Sequence, residues 1–233
     1  MSETIIALEN LTKSYYNTVA LDNVNLNLKT GQIVGLCGPN GSGKTTLIKI
    51  LNGLLKRYEG RVLIDGQKPN VYTRSLISYL PDVCYLAKWM TGNEVIMMFK
   101  DLYIDFDGEK MASLAERMKI DTKRQIKEMS KGTVEKFQLA LVMSRQAKIY
   151  ILDEPIGGVD PAARDLILNT IIDNYAENSL VLLSTHLIQD VEKIFDSVIF
   201  LKDGEVVLFD EVDNIRQEQQ RSIDELFREV FRC

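Results

Sequence analysis

The sequence predicts an α/β domain with a largely parallel β-sheet and a helical lobe inserted in its middle. Three observations carry this. The runs "QIVGLC", "IYIL" and "LVLLST" are almost continuously apolar, as strands buried on both faces should be. Segments such as "KTTLIKILNGLL" and "ARDLILNTIIDNYA" space their apolar residues three and four apart, as amphipathic helices do. From about Arg74 to Ala147 the pattern is mainly helical, with looser joints. At 233 residues the chain has room for one large domain carrying such a lobe.

Taken in order, "NVNLNLKTG" alternates apolar and polar residues, the mark of a half-buried antiparallel strand. "QIVGLCG" follows as a buried strand, then a glycine loop and the helix "KTTLIKILNGLL". "GRVLIDG" is a short strand bracketed by glycines. Helices are predicted over "GNEVIMMFKDLY" and "GEKMASLAERMKI". "KIYILDEP" and "LVLLSTH" return as buried strands around another helix, and "SVIFLKDGEVVLFD" reads as a hairpin turning on Asp203–Gly204. The C-terminal "SIDELFREVF" aligns Ile223, Leu226, Phe227, Val230 and Phe231 on one stripe, for docking on its own domain or on a second subunit. The expected division is a core at 1–80 and 148–210, a helical part at 81–147 and a helical tail at 211–233.

Composition narrows the function. A net charge of −5 argues against a nucleic-acid partner, which asks for a basic face. No apolar run approaches the roughly 20 residues of a membrane-spanning helix, and "MSETIIALEN" lacks the pattern of a signal peptide. Cys37, Cys84 and Cys233 have no metal-ligand spacing, and His186 is the only histidine, so a structural zinc site is disfavoured. A reduced, cytosolic protein is expected.

The chemistry begins at "GPNGSGKTT", with Gly38, Pro39, Asn40, Gly41, Ser42, Gly43, Lys44, Thr45 and Thr46 between a strand and a helix. The spacing Gly, four residues, Gly-Lys-Thr is that of a phosphate loop. Its glycines let successive N–H groups point at an anion, and the following helix adds its positive end. Lys44 reaches the β- and γ-phosphates, and the Thr45 hydroxyl suits Mg²⁺. The loop predicts ATP or GTP. Downstream, "IYILDEP" ends a buried strand on two acids. Asp153 is placed to hold Mg²⁺, and Glu154 to orient or deprotonate the attacking water.

With these residues in order, the chain resembles the ATP-binding subunit of an ABC transporter over nearly its whole length. The resemblance implies a P-loop NTPase of ABC type: a RecA-like parallel core sheet, an antiparallel β subdomain and an α-helical subdomain. "GPNGSGKTT" is similar to the Walker A motif and "IYILDEP" to Walker B, which implies Glu154 as the catalytic base. "GGVDP" resembles the D-loop, with Asp160 at its aspartate. "LLSTH" resembles the H-loop, placing His186 at the γ-phosphate. "LTKSYYNTVALDNV" resembles the segment whose aromatic stacks on adenine, which points to Tyr15, with Tyr16 as the second choice.

Two stretches depart from the family pattern. The signature, usually Leu-Ser-Gly-Gly-Gln, stands here as "MSKGT", keeping Ser130 and Gly132 but carrying Lys131 and Thr133. The resemblance implies that Ser130 and Gly132 grip the γ-phosphate of ATP on a second ATP-binding subunit, identical or not. The Q-loop glutamine is replaced by Asp82 after "SYLP", shorter and charged but still able to ligate Mg²⁺. The next residues, "VCYLAKWMTGNEVI", lie where the family meets its membrane partner, so Trp89 and Met90 serve either as an anchor or as lobe packing. The implied activity is ATP hydrolysis with ATP and Mg²⁺, on the cytoplasmic face of a membrane, alongside transmembrane permease subunits. The lobe and "MSKGT" resemble exporters of the ABC-2 group, which move peptides, lipids, polysaccharides or drugs. The alternative is a soluble ABC-type ATPase acting in cytosolic assembly.

Overall fold

The computed structural model describes residues 3–157, 159, 161–176 and 178–231. The chain opens with an antiparallel hairpin, β1 (Thr4–Tyr15) and β2 (Thr18–Lys29). It enters a larger sheet as β3 (Gln32–Cys37), crosses helix α1 (Lys44–Leu51), and returns to the hairpin as β4 (Glu59–Ile64). A short helix, α2 (Val71–Ser75), leads to β5 (Ile77–Leu80). The lobe follows as α3 (Gly92–Leu102), α4 (Gly108–Arg117) and α5 (Lys131–Met143). The core resumes with β6 (Ile149–Asp153), α6 (Pro161–Asn174), β7 (Leu180–Thr185) and the single turn α7 (Ile188–Val191). A hairpin of β8 (Ser197–Lys202) and β9 (Glu205–Glu211), then α8 (Val212–Gln219) and α9 (Ile223–Val230), complete the described chain.

Two sheets result, ordered β2-β1-β4 and β5-β6-β7-β3-β8-β9. The second is parallel from β5 to β8 and closes with antiparallel β9. The continuous apolar runs find their reason here. Ile149 and Ile151 of β6 enter one core with α1 and the small sheet, while Tyr150 and Leu152 enter another with the lobe and the C-terminal helices. A strand with a core on each side has no face for polar residues. At the β8–β9 turn Asp203 and Gly204 have φ of 48° and 88°, the positive pair a two-residue hairpin turn requires.

The expectation of mainly helical structure from Arg74 is corrected at one place. Ile77–Leu80 is a strand, pairing in parallel with β6 from Ile77–Ile149 to Leu80–Leu152. Four residues are too few to show a period, so the partner decides the conformation. Arg145, just past α5, secures that strand by donating to the carbonyls of Ser75 (2.7 Å) and Ile77 (2.5 Å). The C-terminal stripe is used within the chain. Ile223 and Leu226 are buried, and Phe227 meets Phe200 of β8 edge-on at 5.4 Å.

Candidate nucleotide site

β6, β7 and β3 are neighbours in the sheet, and the chemistry-bearing residues follow their carboxyl ends. After β3 the loop 38–43 runs into α1, with Gly43 at φ 110° as the N-cap and no capping side chain. The first-turn N–H groups of such a helix have no partner within it, so they are available to an anion. A Cβ on Gly43 would stand 2.4 Å from the Ala20 carbonyl oxygen, and one on Gly38 would stand 2.3 Å from that of Leu201. The loop is therefore threaded between backbones that no side chain fits.

Two of its polar groups have bonding capacity that a phosphate would take up. The buried Ser42 hydroxyl has no hydrogen-bond partner. The Lys44 ammonium donates to the carbonyls of Gly38 (2.7 Å) and Pro39 (3.1 Å), which leaves one of its three hydrogens unspent. Burial lowers the Lys44 pKa, and the carboxylates of Glu154 and Asp153 partly oppose that shift. A polyanion would restore the charge. Gly43→Ala should strain the backbone by about 1–3 kcal/mol and weaken ATP binding about tenfold or more. Titration with a fluorescent ATP analogue checks this; unchanged affinity would show that the left-handed turn is dispensable.

Asp153 ends β6, almost fully buried, and accepts the Ser184 hydroxyl at 2.5 Å. Its pKa is raised chiefly by burial, and the charges of Asp82 and Glu154 add to that. Glu154 sits at φ 51°, a left-handed conformation that turns its carboxylate off the strand axis. Its N–H is held by the Ser184 carbonyl (3.1 Å) and hydroxyl (3.2 Å). Its Oε2 lies 2.9 Å from Nδ1 of His186, which follows β7. Among the described residues no three His, Cys, Asp or Glu side chains converge as a complete metal cage.

Asn40, Asp82, Asp153, Glu154 and His186 line one cleft of about 650 Å³, with Met129 and Lys131 on its lobe side. Asp82 thus shares the cleft with the two acids. Ser130 caps α5, its oxygen accepting from the N–H of Thr133 at 3.2 Å and lying 2.8 Å from the Thr133 hydroxyl. A Cβ on Gly132 would meet nothing within 4 Å, so its own chain imposes no need for glycine there. Tyr15 ends β1, exposed on one side with the Lys13 ammonium 4.6 Å from its ring centre, and does not line the cleft. Tyr16 stands fully in solvent. Trp89 is also exposed, whereas Met90 packs against the lobe core. Asp160 and Cys233 lie outside the described residues. Sequence reasoning missed Ser184, whose hold on both acids depends on the β6–β7 register and carries no local signal.

A phosphate loop, two acids and a histidine at the ends of three adjacent strands define a nucleotide-hydrolysing P-loop protein. Residues 21–157 match the family model described as ABC transporter, and the chain belongs to that family as an ATP-binding subunit that hydrolyses ATP. It is 32% identical to the uncharacterized ABC transporter ATP-binding protein YxlF of Bacillus subtilis, over 94% of this chain and 75% of that protein. It is 27% identical to the lantibiotic transport ATP-binding protein SrtF of Streptococcus pyogenes, over 96% of each. The dimeric post-hydrolysis structure of the ATP-binding cassette MJ0796, bound to ADP and Pi, is 28% identical with a TM-score of 0.78, covering 89% of this chain and 98% of that one. The fold and the activity read from the sequence stand on these likenesses. Among the described residues no helix is long and apolar enough to cross a membrane.

Proposed function

We propose that this subunit drives an exporter of peptide, lipid or drug-like cargo, by closing on a second ATP-binding subunit around ATP. The observation that carries the catalytic part is the 2.9 Å contact between Glu154 and His186 beside the phosphate loop. In this reading residues 38–46 hold the phosphates, and Tyr15 stacks on adenine. Thr45, Asp153 and Asp82 hold Mg²⁺, which neutralises phosphate charge. Glu154 directs water at the γ-phosphate. His186, oriented through Nδ1 by Glu154, leaves its other ring nitrogen for a phosphate oxygen, and Lys44 shares the charge that develops there. Ser130 and Gly132 meet the nucleotide of the other subunit, and the open space around Gly132 supports that approach. Release of phosphate then loosens the pair.

The subunit is proposed to work at the cytoplasmic face, docked on transmembrane permease subunits. Exposed Val83, Tyr85 and Trp89 stand on the segment assigned to that contact. Beside it lies a groove of about 330 Å³ lined by Leu54, Tyr79, Tyr85, Phe99 and Tyr103 among others. The likeness to SrtF, named for lantibiotic transport, supports cargo of peptide type. The test is capture of the tagged chain from detergent-solubilised membranes of its host. A multi-span membrane protein that alters ATPase turnover, and whose recovery falls with Trp89→Ala, is expected. Recovery of soluble proteins alone would replace the exporter with an ATPase of cytosolic assembly.

A further inference from the structure

Every residue of β7 is buried, and its apolar run gives way to Ser184 just where the neighbouring β6 ends on Asp153. A buried hydroxyl costs free energy unless it is hydrogen-bonded, and this one is spent on two consecutive acids. Its single hydrogen goes to Oδ1 of Asp153 at 2.5 Å, and its oxygen accepts the Glu154 N–H at 3.2 Å. The same N–H reaches the Ser184 carbonyl at 3.1 Å. The other Asp153 oxygen, Oδ2, accepts no hydrogen bond among the described residues, and Asp153 lines the cleft. Glu154 depends on such support, because a φ of 51° is unfavourable for a residue with a side chain. The next two residues of the chain extend the arrangement. The Thr185 hydroxyl accepts the Leu187 N–H at 2.9 Å, which fixes the turn that carries His186 to Glu154. Alanine would fit the strand at 184 with no polar group to satisfy, so packing alone does not call for serine.

We propose that Ser184 is a positioning residue that ties the cation ligand to the base: its hydroxyl holds Asp153 through Oδ1, leaving Oδ2 for Mg²⁺, and through the Glu154 N–H it sets the carboxylate that directs water. This rests on the roles proposed above for Asp153 and Glu154, and it names what keeps the two in register. The tie runs through one oxygen atom. A turn of the Asp153 carboxylate pulls on the Ser184 hydroxyl, and that displaces the acceptor of the Glu154 N–H. Partners that orient a metal ligand in this way commonly govern metal affinity and turnover together. Without the hydroxyl, Asp153 Oδ1 loses its donor in a buried place, and the Glu154 N–H keeps only the carbonyl.

The test compares the purified parent chain with Ser184→Ala and Asp153→Asn. Mn²⁺, standing in for Mg²⁺, is titrated by electron paramagnetic resonance in the presence of a non-hydrolysable ATP analogue. Phosphate release is measured at saturating Mg²⁺, and a fluorescent ATP analogue is titrated in excess chelator. Ser184→Ala should weaken Mn²⁺ binding by about 10–100-fold and lower kcat about tenfold, while nucleotide binding without metal stays as in the parent. Parental Mn²⁺ affinity and kcat in Ser184→Ala would overturn this inference alone, leaving the serine a packing role. A change in only one of the two would overturn the tie, because the hydroxyl would then serve one acid and not the other. Weaker nucleotide binding without metal would show a general disturbance of the site and overturn it as well. Asp153→Asn binding Mn²⁺ as tightly as the parent would remove Asp153 from the metal, and this inference with it. Should Ser184→Ala not fold, Ser184→Cys carries the same test, since a thiol fills the place but donates weakly; parental behaviour there would overturn the inference.

Discussion

Glu154→Gln is expected to cut ATP turnover by about 10²–10⁴-fold while leaving ATP binding intact, so that an ATP-loaded dimer accumulates. The amide keeps the shape of the carboxylate and its contact with Nδ1 of His186. It cannot take the proton of the attacking water. Two measurements separate the outcomes: steady-state phosphate release, and retained radiolabelled ATP after gel filtration. Unchanged turnover would remove Glu154 from the role of base. Lost turnover together with lost ATP binding would show a collapsed site, because the left-handed backbone at φ 51° tolerates little rearrangement. His186→Ala tests the same pair from the other side. It should slow hydrolysis with a smaller effect on affinity, since His186 reaches the cleft from the end of β7 rather than from the phosphate loop.

Arg145→Met should lower stability by about 3 kcal/mol or more, and the melting temperature by about 10 °C for a chain of this length. The guanidinium is almost entirely buried. It pairs through two nitrogens with both Asp105 oxygens at 3.0 Å, and stacks 4.0 Å from the centre of the Tyr103 ring. With the carbonyls of Ser75 and Ile77 it spends nearly every donor it has. Removal strands the partly buried Asp105 carboxylate and frees two carbonyls, one at the end of α2 and one on the edge strand β5. Arg145→Lys should recover little, because an ammonium cannot reproduce the planar fork. Urea unfolding checks the loss; a midpoint within error of the parent would show that the network adds nothing net. The same substitution should weaken permease binding, because Arg145, Tyr79 and Tyr103 line the groove proposed for it.

How much of this was legible beforehand depends on whether the information is local. The glycine loop, the strand before it and the helix after it lie within Gln32–Leu51, and the sequence alone determined them. Residue spacing encodes a phosphate cradle because the anion is held by consecutive backbone groups. Asp153 and Glu154 were visible because they end an apolar run, and the hairpin at Asp203–Gly204 because its turn demands positive φ twice. Likeness to known proteins then joined the distant pieces into one ATPase.

The tertiary structure decided what depends on residues far apart in the chain. Ile77–Leu80 became a strand because β6 lies beside it, not because of any period of its own. Ser184 holds both acids because the β6–β7 register sets it opposite Asp153, 31 residues away. Arg145 became the tie between lobe and sheet by reaching Ile77 across 68 residues. Lys131 reads in the sequence only as an exception to a motif; the fold set it in the lining of the cleft, 3.7 Å from the Glu135 carboxylate. Pattern records what each residue asks of its immediate neighbours, and burial and pairing between distant segments are fixed only when the chain closes on itself.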